Sequence, residues 1–241
     1  MLNIPILKQD FMINRKTLMV FYCLQAASLL IAAVIRNMRL IRISDMFWDT
    51  LPVVVFPMLM SMVLAMETVR RRDADKTMTF LLATGISPSQ IIMTKAVFVG
   101  LSAFVLLAFS MLLGSVLHVY DLTGMWNQNT YIVLHLGAMC LQLFIAGWCF
   151  FISCAGSRPS MPFYYGLGIG LPLLFYAVYL LQDFVPELSV LQYITVFSLF
   201  RQEMFVSPGV SAFLASLTLA VAGLVFFGLG RYVFCGRGAH D

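Results

Sequence analysis

The feature that most constrains this chain is a series of six long apolar runs separated by short polar segments. The runs cover residues 17–35, 51–69, 96–117, 131–153, 162–181 and 210–230. A helix needs about 20 apolar residues to cross ~30 Å of hydrocarbon, and none of the runs alternates as the strands of a membrane barrel do. Charged residues make up only 11% of the chain, far below a soluble domain. The sequence therefore predicts an all-α integral membrane protein in which residues 1–241 form one domain with six transmembrane helices.

The first sixteen residues predict a separate amphipathic helix. Its apolar side chains recur at helical spacing and are Ile4, Leu7, Phe11 and Met12. We expect this helix to lie on the inner leaflet before the chain turns into the bilayer. Basic residues followed by an apolar run also occur in secretory signals, but this run is longer than a signal core and is followed by Arg36. We therefore expect it to be retained as the first transmembrane helix.

The orientation follows from the basic residues, which are unequally divided between the two sides of the six runs. Eleven of the fifteen lie on the side of both termini, namely Lys8, Arg15, Lys16, Arg70, Arg71, Arg72, Lys76, Lys95, Arg158, Arg231 and Arg237. The other side has Arg36, Arg39, Arg42 and Arg201. The cluster of three arginines after the first run argues for the reverse orientation, but the majority favours cytoplasmic termini. The predicted location is the cytoplasmic membrane, with lipid as the surrounding partner.

The segment 67–95 is the longest charged interruption and is predicted to be a cytoplasmic loop. Residues 78–83 can form a short helix that Gly85 ends. Ser87 suits a helix N-cap and Pro88 the first helical position, so the next helix should begin there. A short helix would thus connect two transmembrane helices on the cytoplasmic side.

This loop resembles the first cytoplasmic loop of ABC-2 type permeases, the membrane subunits of a class of ATP-driven exporters. The residues that carry the resemblance are Glu67, Thr77, Thr79, Phe80, Leu81, Leu82, Ala83, Gly85, Ser87, Pro88, Gln90, Ile91, Ile92 and Lys95. In that family the loop holds a coupling helix that contacts an ATPase subunit. The contact residues implied here are Thr79, Phe80, Leu81, Leu82, Ala83, Thr84, Gly85, Ile86, Ser87 and Pro88.

A second stretch, residues 182–208, is too apolar for an ordinary loop and too short to cross the bilayer and return. Two short helices that dip into the outer leaflet would satisfy both conditions. ABC-2 permeases have such a re-entrant segment before the last helix. The similar residues are Leu191, Tyr193, Phe197, Ser198, Leu199 and Phe200. The N-terminal interfacial helix is also common in the family.

The resemblance implies a permease that works in a complex. Its partners would be an ABC ATPase subunit, which binds ATP and Mg, and a second permease copy, identical or homologous. The cargo would be a hydrophobic or amphipathic compound such as a peptide, drug or lipid, carried outward. The chain itself would bind no cofactor or metal, and nucleic acid is not an expected partner.

Polar and flexible side chains inside the runs are candidates for a substrate path. These residues are Gln25, Met62, His135 and Gln142. Each also has a plain interpretation as interhelical packing or hydrogen bonding. His135 could relay protons, but the only carboxylate within the runs is Glu67, at the loop end of the second run. Gly166 and Gly170 form a GxxxG pattern in the fifth run, which predicts a close helix contact or a kink.

Catalytic motifs are missing from the sequence. It has no G-x-x-x-x-G-K-[ST] segment for nucleotide phosphates and neither H-E-x-x-H nor G-x-S-x-G. We therefore predict a non-catalytic subunit with no catalytic residue of its own. Two alternatives remain open at this stage: a secondary transporter driven by an ion gradient without an ATPase, and a membrane-embedded enzyme.

Overall fold

The computed structural model of the chain describes residues 2–37, 51–71, 85–119, 128–155, 161–181, 195–200, 203–206 and 209–237. Within these ranges every regular element is a helix. Five helices are long and apolar enough to cross a membrane, namely Ile4–Val34, Pro52–Val69, Pro88–Leu117, Asn129–Ala155 and Val210–Gly236. The all-helical class is therefore confirmed, and five of the six predicted runs coincide with a helix that could cross a membrane.

We number the main α-helices in chain order. They are α1 (Ile4–Asn37), α2 (Phe56–Ala65), α3 (Pro88–Val119), α4 (Gln128–Ala155), α5 (Leu171–Leu181) and α6 (Val210–Arg237). Three π-helical segments, Leu51–Val55, Met66–Arg71 and Tyr164–Gly170, adjoin α2 and α5. The fifth predicted run, residues 162–181, corresponds to Tyr164–Leu180, which is apolar but shorter than the other helices.

The N-terminal segment differs from the prediction, because α1 continues without a break from Ile4 to Asn37. No glycine or proline occurs between residues 6 and 37, so the backbone has no residue that favours a turn at the expected entry point. The predicted interfacial helix at residues 1–16 is therefore the first part of one long helix. Its buried side chains recur at helical spacing, as at Ile6, Asp10, Asn14 and Leu18.

Helix α2 lies in the centre of the bundle. Of the apolar windows, 67% of the residues around α2 and 61% of those in α4 are buried, against 22% in α1 and 17% in α6. The methionines Met58, Met60 and Met62 are all buried. An apolar side chain can contact either lipid or another helix. Its burial in the bundle shows which residues contact other helices. Helices α2 and α4 form the interior of the bundle, while α1 and α6 leave most of the residues in their apolar windows unburied.

Helices α4 and α6 pack closely at a pair of glycines. A Cβ atom at Gly147 would meet the backbone carbonyl of Gly223, and one at Gly223 would lie 2.6 Å from the carbonyl oxygen of Leu143. Small residues allow such close approach of transmembrane helices. The GxxxG pattern at Gly166 and Gly170 predicted a close contact or a kink. A Cβ atom at Gly166 would meet nothing within 4 Å, and these two glycines lie in a π-helical distortion.

The segment before α6 contains two short helical turns, Val196–Leu199 and Glu203–Val206. Their aromatic rings point inward, since Phe197, Phe200 and Phe205 are all buried. The prediction of two short helices in this stretch agrees with these elements. Residues 182–194, 201–202 and 207–208, which include Leu191 and Tyr193, lie outside the described residues.

The glycine contact generates a stability prediction. Gly223→Leu places a side chain against the backbone of α4. Backbone atoms within a helix cannot move aside as the end of a flexible side chain can. We expect a loss of about 1–3 kcal/mol or more in the free energy of unfolding. The measurement is SDS-induced unfolding of the purified protein in mixed micelles.

The matched control is Gly228→Ala on the same helix, where an added Cβ atom meets nothing within 4 Å. This variant should unfold like the original chain. Equal stability of the two variants would contradict the close contact.

Candidate functional site

The turn at residues 85–88 starts α3 and contains the last four of the predicted ATPase contact residues. Gly85 has φ +77°, a left-handed conformation that favours glycine. The backbone N–H of Gln90 donates to Ser87 O at 2.9 Å and approaches Ser87 Oγ at 3.4 Å. Pro88 is the first helical residue. The predicted helix start at Ser87 and Pro88 is therefore confirmed.

The rest of the predicted contact segment is not described by the structure. Residues Thr79, Phe80, Leu81, Leu82, Ala83 and Thr84 lie outside the described residues. Gly85 and Ser87 are exposed, while Ile86 and Pro88 are half-buried. A soluble protein at this end could reach the exposed pair directly.

Three distant parts of the chain meet at this turn. The backbone N–H of Asn3 donates to Thr94 Oγ1 at 3.1 Å, which attaches the start of α1 to α3. Ile6 and Ile91 form a small buried cluster against which Ile86 and Phe234 pack. The end of α6 is attached as well, because Arg231 Nε donates to Ser89 Oγ at 3.0 Å. The loop exit is thus held by both the first and the last helix.

A buried ion pair lies just inside this end. Lys95 Nζ is 3.5 Å from Asp10 Oδ1, and both side chains are completely buried. Sequence reasoning treated Lys95 as a loop residue at the membrane boundary and gave Asp10 no role. Asp10 and Lys95 come together because α1 and α3 run parallel from the same end. The available signal was an acidic and a basic residue at similar depth in two helices that begin on the same side.

Two of the candidate substrate-path residues, Gln25 and Gln142, bind the backbone at the start of α2. Gln25 Nε2 donates to Pro52 O at 2.6 Å, and Gln142 Nε2 donates to Val54 O at 2.9 Å. Here the π-helical turn changes to the α-helical register of α2. Pro57 has no N–H, so a carbonyl of the preceding turn lacks its helical donor. At the five-residue spacing of a π-helix an N–H at position 57 would reach Pro52 O, and Gln25 supplies that donor instead. Gln142 gives Val54 O in the same turn a further donor.

The acceptor atoms of the same amides are placed differently. Gln25 Oε1 and Gln142 Oε1 are buried and have no hydrogen-bond partner within the part of the chain that the structure describes. The donor half of each amide is therefore structural. The acceptor half is the part that a further donor could use.

His135 is held by a local cluster of hydrogen bonds. Its Nδ1 atom lies 3.0 Å from the carbonyl oxygen of Tyr131, which can only accept, so Nδ1 carries the proton. Nε2 then accepts, and it lies 3.4 Å from Ser110 Oγ. Tyr131 OH donates in turn to Ser110 O at 3.1 Å. The arrangement fixes the imidazole between α3 and α4 and requires no ligand.

Met62, the fourth candidate, is 1% exposed, and its carbonyl oxygen accepts a 2.5 Å hydrogen bond from Tyr164 OH. All four candidates thus lie in the packed interior around α2 and α4. A cavity of about 400 Å³ lies elsewhere, between α4 and α6, with an almost entirely apolar lining that includes Leu136, Cys140 and Phe213. Among the described residues no group of His, Cys, Asp and Glu could hold a metal ion. The assignment of the four residues to a substrate path stays a prediction.

No protein-family model, no curated protein and no solved structure matches this chain. The site is therefore interpreted from its own geometry.

The ion pair predicts an asymmetric response to mutation. Lys95→Met removes the ammonium group 3.5 Å from the buried Asp10 carboxylate, and we expect a loss of about 3–5 kcal/mol in the free energy of unfolding. The double variant Asp10→Leu/Lys95→Met removes both charges and should regain most of that loss. The measurement is SDS-induced unfolding in mixed micelles.

Lys8→Met is the control for the ion pair, because Lys8 is exposed on the same helix as Asp10. Its unfolding should match that of the original chain. A Lys95→Met variant as stable as this control would show that the pair is not desolvated.

The contact between Gln25 and the turn before Pro57 predicts an energetic coupling. Gln25→Leu removes the donor for a buried carbonyl and should lower the free energy of unfolding by about 1–3 kcal/mol. In a Pro57→Ala background residue 57 regains its N–H, so the same substitution should have a smaller effect. We expect a double-mutant-cycle coupling of at least about 0.5 kcal/mol. Equal losses in both backgrounds would refute this role for Gln25.

Proposed function

We propose that this chain is the permease subunit of an ATP-driven transporter of the ABC-2 type in the cytoplasmic membrane. It exports a hydrophobic or amphipathic compound, such as a peptide, drug or lipid. The working complex contains two permease copies, identical or homologous, and ABC ATPase subunits that bind ATP and Mg. In this proposal residues 79–88 contact the ATPase.

The observation that carries the proposal is the assembly of the end at which α3 begins. The turn at Gly85–Pro88 follows directly on the segment proposed to contact the ATPase. It is attached to α1 through Asn3 and Ile6 and to α6 through Arg231. A force applied to this turn therefore acts on three helices at once.

The directions of the helices support six crossings of the bilayer. Helices α4 and α6 run parallel, since Gly147 is next to Gly223 and Phe150 stacks on Phe227 at 5.3 Å further along both helices. Two parallel helices in sequence require the chain between them to return. The segment from Tyr164 to Leu181 runs antiparallel to α4, since Cys149 Sγ lies 3.3 Å from Gly168 O while the earlier Phe144 lines one cavity with the later Phe175. In our proposal this segment is the fifth crossing.

The charge distribution supports placing the assembled end in the cytoplasm. The N-terminus of α1, the start of α3 and the C-terminus of α6 meet there. In six-crossing topology this is the side to which eleven of the fifteen basic residues belong. Positive residues concentrate in cytoplasmic segments. An ATPase that draws on cytoplasmic ATP would dock on this side.

The proposed mechanism uses α3 as the element that moves. ATPase closure pushes on residues 79–88, and the push enters α3 along its axis through the Ser87 cap and Pro88. The Asp10–Lys95 pair, at 3.5 Å, makes the ends of α1 and α3 shift together. The buried amides on α1 and α4 connect these helices to the turn before α2, so movement at the cytoplasmic end reaches the interior.

The proposal predicts that an ATPase subunit is recovered with the chain in mild detergent. Leu82→Asp puts a charge into the apolar contact and should reduce the recovered ATPase at least tenfold, because an unpaired carboxylate at an apolar contact must be desolvated. The measurement is the ratio of ATPase to permease in the affinity-purified complex, with ATP hydrolysis as a second readout.

The matched control is Leu199→Asp, the same change at a partly exposed leucine in the short turn before α6, away from this end. It should leave the recovered ATPase unchanged. Transport by the purified chain alone, without nucleotide, would contradict the proposal and favour a secondary transporter.

A further inference from the structure

A cavity of about 440 Å³ opens at the same end of the molecule, on the outside of the bundle. Its lining consists of Ser89, Gly228, Arg231, Tyr232 and Cys235. Gly228 leaves the floor free of a side chain, since a Cβ atom there would meet nothing within 4 Å. The cavity lies between the first turn of α3 and the last turns of α6.

The cavity continues the lipid-facing surface of α6. The exposed apolar residues on this surface include Leu217, Val221, Leu224 and Val225. With 3.6 residues per turn, these residues and Arg231, Tyr232 and Cys235 all fall within about 60° of Gly228 around the helix axis. The opposite face, with Gly223 and Gly230, packs on α4. An apolar stripe at membrane depth therefore leads directly into the cavity.

The cationic side chain of Arg231 lines the cavity at the depth of the membrane interface. Arg231 is the first charged residue after the apolar run of α6, so it lies where hydrocarbon gives way to headgroups. Its Nε–H is used by Ser89 Oγ at 3.0 Å, which holds the guanidinium in place. The guanidinium is exposed and has four more N–H donors. Tyr232 is 79% exposed and can present a hydroxyl at the same level.

We propose that this cavity binds the headgroup of one anionic phospholipid. The phosphate accepts hydrogen bonds from the guanidinium of Arg231, which suits phosphate oxygens in a fixed planar geometry. The acyl chains lie along the apolar stripe of α6, and the space above Gly228 admits the glycerol backbone. Basic pockets between transmembrane helices on the cytoplasmic side are general sites for anionic headgroups.

The position of the cavity explains why a lipid fits better than a soluble anion or a docked protein. Its opening is continuous with apolar surface that faces hydrocarbon, and a soluble anion would leave that surface unused. A protein on the cytoplasmic side would meet the turn at Gly85 and Ser87 before it reached this flank. The bound lipid would contact α3 and α6 together, so it would stabilise the attachment between Ser89 and Arg231.

The test measures lipid binding to the full chain in mild detergent by native mass spectrometry. The probes are dioleoylphosphatidylglycerol and dioleoylphosphatidylcholine. We expect the anionic lipid to bind about tenfold more tightly, which corresponds to one charge-assisted contact. Arg231→Gln should reduce that preference to near one. Arg231→Lys keeps the charge and should retain part of it.

Two further variants separate the cavity from general charge effects. Lys8→Gln removes one exposed positive charge at the same end and should leave the preference unchanged. Gly228→Leu fills the cavity without altering the charge and should weaken binding of the anionic lipid about as much as Arg231→Gln does.

Several outcomes would overturn the proposal. These are equal binding of the two lipids by the original chain, an unchanged preference in Arg231→Gln or Gly228→Leu, and displacement of the anionic lipid by inorganic phosphate. Loss of ATPase recovery in Arg231→Gln with an intact lipid preference would assign Arg231 to the protein partner instead.

Discussion

The constraint on which the structure depends is that every backbone polar group inside hydrocarbon needs a partner within the protein. Pro57 in the central helix has no N–H, so a carbonyl oxygen of the preceding turn lacks its usual helical donor. Pro57 lies next to the change from π-helix to α-helix. Amide side chains from α1 and α4, Gln25 and Gln142, donate to the carbonyls of that turn. The same bonds that repair the backbone also join the three helices. Hydrogen bonds therefore hold the helices of the interior together. Apolar packing alone would favour contact with another helix little more than contact with lipid.

A second set of polar contacts holds the end at which α3 begins. The Asp10–Lys95 pair is completely buried, and Asn3 and Arg231 attach the first and last helices to the same turn region. Charged groups in such a place are stable only as a pair, so α1 and α3 cannot slide past each other without exposing one of them to hydrocarbon. This end can transmit a displacement as one body, as the proposed ATPase coupling requires.

Local chemistry could be predicted from the sequence, while contacts between distant segments could not. The positions of five membrane helices follow from apolar run length, and the start of α3 follows from Ser87 and Pro88. Partners across the bundle depend on helix rotation, which a uniformly apolar sequence leaves open. Lys95 was therefore assigned to the loop, and the close contact at Gly147 and Gly223 was not predicted. The continuous α1 was missed because its polar first half suggested a separate surface helix.

The glycine contact between α4 and α6 has a consequence for biogenesis. Helix α4 leaves the ribosome long before α6, and its notch at Gly147 fits only the backbone near Gly223. Until α6 is inserted, α4 cannot make this backbone contact. The α4–α6 packing of this chain is therefore assembled late, because it needs two helices that are made at different times.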